Sequence, residues 1–152
     1  MESDAQEQLR ILERAEAAPY ISYPVTPWYS PVMGLWAAAM IGVFTWWRSN
    51  GALFVASLVV LIALEVAFLA WMQRRHGAMP MPGRGTPPKE IGAVWRGYVL
   101  SVPVVAVLVT LAWWLVGVPA AAVTAFVVVT AGLAYYERRY AQAAAKVRER
   151  LG

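Results

Sequence analysis

The sequence predicts an all-α integral membrane protein, four transmembrane helices arranged as two hairpins, and three observations carry that prediction. Of 152 residues, 60% are hydrophobic and only 14% charged, against about 25% charged in soluble domains. The apolar residues gather into four blocks, 31–47, 52–72, 97–116 and 120–136, and a bilayer core of about 30 Å takes roughly 20 residues of helix to cross. Twelve of the thirteen Lys and Arg fall in the segments that four crossings leave on one side, the asymmetry that marks cytoplasmic loops.

The chain reads as three regions, 1–30 before the membrane, 31–136 within it and 137–152 after it. Residues 4–17 are expected to form a short amphipathic helix. Ser3 or Asp4 can cap it, Gln6 or Glu7 stands three residues on, and Ala5, Leu9 and Leu12 share a face. Four acids, Asp4, Glu7, Glu13 and Glu16, against Arg10 and Arg14 make this helix acidic, so it belongs in the cytosol or against the protein's own basic parts rather than on an anionic membrane surface. From Pro19 to Tyr29 proline alternates with aromatics. Proline interrupts helix, and Tyr and Trp favour headgroups, so an interfacial segment is expected there. The acidic opening Met1-Glu2-Ser3-Asp4 lacks the positive start of a secretory leader, and the first block is expected to stay as a span.

Span one, 31–47, ends at the Arg48-Ser49-Asn50-Gly51 turn, Asn-Gly being a helix-stop signal. Span two, 52–72, holds twelve Leu, Ile, Val or Phe. Each contributes about −0.3 to −0.6 kcal/mol at a helix centre, which outweighs the cost of roughly 2.5 to 3.5 for one acid there. A loop over 73–96 follows, rich in Pro and Gly, with Thr86 and Pro87 expected to cap and open the next helix. Span three, 97–116, is joined to span four, 120–136, by the short Gly117-Val118-Pro119 turn, and span four is expected to run on into a helical, basic tail. The basic residues lie in the N-terminal segment, the central loop and the tail, leaving Arg48 alone on the far side. Both termini are therefore expected in the cytoplasm. Trp46-Trp47 and Gln73-Arg74-Arg75 are echoed by Trp113-Trp114 and Glu137-Arg138-Arg139, a similarity that interfacial physics alone can generate.

Composition also narrows the chemistry. The chain has no cysteine, and His76 is its only histidine, so neither a disulfide nor a zinc or haem site within one chain is expected. Met72, His76 and Met79-Pro80-Met81 offer soft ligands to Cu(I) only in principle, and no cofactor is expected. No nucleophile elbow, phosphate loop or metalloprotease motif is present, and no base-stacking surface accompanies the positive charge. An enzyme or a nucleic-acid partner is not expected.

Three features remain that can carry function. Glu65 is the only charged residue inside a span, roughly 10 Å from the nearer end at 1.5 Å per residue. It is a candidate for binding a proton, an ion or a cationic substrate. The alternative is a structural pairing, by a hydrogen bond from Ser101 or Tyr98 on span three or by reaching toward Arg74 or Arg96. Pro103 can kink span three at a similar depth if spans two and three pack together. Gly34, Ala38 and Gly42 form a small-residue stripe on span one that lets another helix approach closely. The basic tail can meet anionic lipid or the acidic N-terminal helix.

Four helices and one membrane glutamate, Glu65, look superficially similar to the small multidrug resistance transporters. Their essential glutamate lies in the first span of a shorter chain with little charge bias, whereas Glu65 lies in the second span of a strongly biased one, and no family is assigned. The reading is a non-enzymatic membrane protein working through helix contact, as an accessory or regulatory subunit or a homo-oligomer. The alternative is a small proton- or cation-coupled transporter or channel using Glu65. Eleven Arg against two Lys, with abundant Ala and Val, point to a GC-rich bacterial genome and hence a bacterial plasma membrane.

Overall fold

The computed structural model describes residues 2–22, 26–77 and 85–151, and these are helical apart from short connections. The order is α1 (Glu2–Ile21), α2 (Tyr29–Gly42) continued by a 3-10 turn (Val43–Trp46), α3 (Gly51–His76), α4 (Lys89–Val116) and α5 (Val118–Leu151). Four of them are long and apolar enough to cross a membrane: α2 with its 3-10 turn, α3, α4 and α5. The helices α2 and α3 make one hairpin and α4 and α5 the other, so both turns lie at one end of the molecule. That end is called the turn end below, and the opposite one the tail end.

Several boundaries differ from the sequence reading for identifiable reasons. Helix α1 runs through Pro19 to Ile21 instead of ending at 17. Its last carbonyls find partners: Ser22 Oγ donates to Ala18 O (2.6 Å), Tyr140 Oη to Tyr20 O (2.8 Å) and the Arg148 guanidinium to Ile21 O (2.6 Å). Tertiary contacts thus outweigh the backbone donor that proline lacks. The interfacial segment expected up to Tyr29 falls partly at 23–25, outside the described residues. Asn50 does not stop α2 but starts α3, its Oδ1 accepting from Leu53 N–H at 3.0 Å. Helix α3 continues to His76 and is closed by Gly77, whose φ of 76° suits only glycine and whose N–H donates to Gln73 O.

Thr86 and Pro87 do not open α4. Its N-cap is Pro88, with no side-chain hydrogen bond, because a residue that precedes proline is pushed out of the helical region and Pro87 precedes Pro88. One residue, Gly117 at φ 114°, turns α4 into α5. Helix α5 then extends unbroken into the basic tail, and Pro119 is tolerated because it lies in the first turn.

The membrane helices touch in a row, α3 against α2, α2 against α5, α5 against α4, and the row does not close: α3 and α4 share no substantial interface. Small residues decide who is central. Ala121 and Ala125 of α5 are buried, and Gly34 of α2 sits against α5 so closely that a Cβ there would overlap Thr130 Oγ1 and stand 2.9 Å from Phe126 O. Close backbone approach of this kind is what drives association where lipid and side chains are equally apolar.

The best-packed apolar cluster lies beyond the membrane blocks, at the tail end. Tyr20 of α1, Ile91 and Trp95 of α4, and Tyr140 and Ala143 of α5 form one buried group, with the Tyr20 ring edge-on to Trp95 at 5.8 Å. The acidic α1 meets the basic tail here, through Arg150 to Glu13 at 3.2 Å and the Arg14 guanidinium to Leu151 O at 2.8 Å. The exposed ion pair contributes little, so the apolar cluster holds the helix.

Candidate functional site: the α3 edge and the α2–α5 seam

The site residues expected from sequence are dispersed by the row. Glu65 lies on α3, at one edge, and Ser101 and Tyr98 on α4, at the other, so the structure does not bring them together. Ser101 Oγ donates instead to its own helix at Tyr98 O, 2.7 Å. The Tyr98 ring rests on Tyr136 of α5, centroids 5.0 Å apart. Pro103 is exposed within a helix assigned without a break from Lys89 to Val116, and α4 does not pack on α3, so any bend there lies far from Glu65. The reason is the order of the row: α2 and α4 both pack on α5, and α3, whose only substantial contacts are with α2 and its 3-10 turn, is left at the edge.

Glu65 keeps a defined setting nonetheless. Along α3 the less exposed residues are Phe54, Ser57, Leu58, Leu61, Glu65, Phe68, Leu69, Met72 and His76, related by steps of three and four, which is one helix face. The neighbours Leu64 and Val66 are 59% and 61% exposed, whereas Glu65 is half-buried. The carboxyl thus lies on the inward face of α3 and makes no hydrogen bond or ion pair among the described residues, Arg74 and Arg96 included.

That face is covered only at its ends. Toward the tail, Trp28 and Tyr29 meet Phe68 at 6.1 and 6.3 Å, and Trp28 meets Trp71 at 6.2 Å. The Arg75 guanidinium lies over Trp71 at 5.4 Å, a cation–π contact. Toward the turn, Phe44 and Trp47 meet Phe54 at 5.3 and 5.0 Å. Between these clasps the hairpin opens into a lateral hollow of about 640 Å3, lined by Ala39, Gly42, Val43, Trp46, Ala56, Ser57 and Leu61 among others. Glu65 follows Leu61 by one helical turn.

Comparison with family models, with curated proteins and with solved structures finds no match to this chain. Its site therefore has to be read from its own residues.

The small-residue stripe of α2 divides. Gly34 is buried against α5, Ala38 is half-buried, and nothing lies within 4 Å of where a Cβ on Gly42 would stand. The sequence reading missed a further member of the α2–α5 seam. Ser30 is 2% exposed and its hydroxyl donates to Glu137 Oε2 of α5 at 3.0 Å. Ser30 precedes Gly34 by four residues and Glu137 follows Thr130 by seven, spacings that keep each pair on one helix face. That pattern was visible within each helix, but nothing local links residues 107 apart. With Ser30 in the first turn of α2, the carboxylate also sits where a helix N-terminus favours negative charge. Glu137 accordingly anchors α2 on α5.

Among the described residues no three His, Asp or Glu side chains converge as a metal site would need. The Met79-Pro80-Met81 ligands lie outside the described residues.

Proposed function

We propose that this chain is a non-enzymatic membrane protein that works through transmembrane helix contact, as an accessory or regulatory subunit or as a homo-oligomer. The observation that supports it is the α3 edge: an inward face covered by α2 only at its ends, with a carboxyl at its middle that has no hydrogen-bond or ion-pair partner among the described residues. An acid at a helix centre costs about 2.5 to 3.5 kcal/mol in hydrocarbon, and a neighbouring helix carrying a donor would offset that cost. Gly42, with open space before it, marks where such a helix can come close. Replacing Gly42 with Leu is expected to dissociate a complex that survives mild detergent, read as native mass. An unchanged mass would remove this face from the proposal.

The second reading is a small proton- or cation-coupled transporter or channel using Glu65, favoured by its half-buried carboxyl one helical turn beyond the hollow's lining at Leu61. Flux in proteoliposomes that persists at full rate in Glu65→Gln would eliminate it. We place the protein in a bacterial plasma membrane with both termini cytoplasmic, on the Lys and Arg distribution and the Arg-over-Lys usage. Reporter fusions to the two ends should give the same cytoplasmic signal, and opposite signals would overturn that topology.

A further inference from the structure

The turn end carries a single charge. Between Glu16 and Glu65 the only charged residue is Arg48, and between Arg96 and Glu137 there is none. Arg48 is exposed and has no hydrogen-bond or ion-pair partner among the described residues, and with every acid of the chain elsewhere its counter-anion has to come from another molecule. Beside it lies a depression of about 660 Å3 between the two hairpin turns, lined by Phe44, Thr45, Trp47, Trp113, Val118 and Pro119. Phe44 and Trp113 meet edge to face at 5.0 Å across it, joining the first hairpin to the second.

The lining has two kinds of chemistry. The guanidinium, the two indole N–H groups and the Thr45 hydroxyl all donate hydrogen bonds, and no carboxylate is present, which suits a phosphate. The remaining wall is aromatic and aliphatic, which a soluble anion cannot use. Tryptophans at helix ends place this surface at the headgroup level of a bilayer.

We propose that this depression binds an anionic phospholipid, its phosphate on Arg48 and its glycerol and upper acyl segment against Phe44, Trp113, Val118 and Pro119. A lipid held there bridges the two turns and holds the hairpins together where α3 and α4 share no substantial interface of their own. The inference needs only that the turn end lies at a membrane surface, and it is independent of whether α3 binds a partner helix.

The test uses the full chain in nanodiscs of phosphatidylcholine doped with phosphatidylglycerol carrying a photoactivatable headgroup, with labelled peptides mapped. Label is expected in residues 44–48 and 113–119. Arg48→Gln should reduce it about fivefold, the effect of losing one basic residue near a membrane surface. Arg138→Gln with Arg139→Gln, at the tail end, should leave it unchanged. Trp113→Ala should also lower labelling at 44–48, and soluble glycerol phosphate should not compete. Equal labelling in Arg48→Gln, equal labelling by an uncharged-headgroup analogue, or full competition by glycerol phosphate would each overturn the proposal.

Discussion

The two hairpins share a plan and differ in how they close. In the second, α4 and α5 pack along their length, with Ala121 and Ala125 buried between helices. In the first, α2 and α3 meet at two aromatic clasps and part between them, leaving the hollow and Glu65. Their tryptophan pairs show the same divergence. Trp113 packs on Phe44 and Trp114 is 82% exposed, while Trp47 joins the clasp on Phe54 and Trp46 borders the hollow. Matching sequence features at matching ends therefore do not imply matching packing. In lipid, apolar surface by itself gives no reason for one helix to choose another, so the choice falls to shape and to scarce polar bonds.

The largest test of this contrast is at Gly34. Gly34→Ala places a methyl against Thr130 and Phe126 O and is expected to cost about 1–3 kcal/mol, with Leu costing more, as overpacking does. Unfolding in detergent or bicelles would measure it, and a neutral result would mean that the α2–α5 seam is not close-packed.

Next comes the polar bond of the same seam. Ser30→Ala leaves Glu137 without its hydroxyl donor in a half-buried position and is expected to destabilise by roughly 1–3 kcal/mol. Ser30→Thr, which keeps a hydroxyl, should recover part of the loss. If Ala and Thr behave alike, the hydrogen bond is not what anchors α2.

The smallest effect belongs to the first hairpin. Gly42→Ala meets nothing within 4 Å and is expected to change stability by no more than about 0.5 kcal/mol. A loss as large as that at Gly34 would show that the hollow is closed in the membrane and would erase the contrast between the hairpins.

Much of the fold was legible from residues alone because its cause is local. Four apolar blocks of the right length, Gly117 as a turn residue, and an acidic helix ahead of a basic tail can each be read without knowing any neighbour. Boundaries slipped where a neighbour intervened: Pro19 stayed helical because Tyr140 and Arg148 reach its last turn. Glu65 stood out as the one charge inside a span, yet its proposed companions Ser101 and Tyr98 proved to lie at the far edge of the row. Ser30, which does hold a carboxylate, attracted no notice because a serine beside a proline is unremarkable until the helix opposite is known.

The sequence by itself determined that four helices long enough to cross a membrane form, in what order, and where charge is concentrated, since hydropathy, period and charge act along the chain. Only the tertiary structure decided that α5 is central, that Gly34 and Ser30 serve the chain's own seam, and that Glu65 and Arg48 have no partners among the described residues. Those outcomes depend on which backbones can approach within a few ångströms, and two helices that share one apolar solvent reveal that only when their small and polar residues are set face to face.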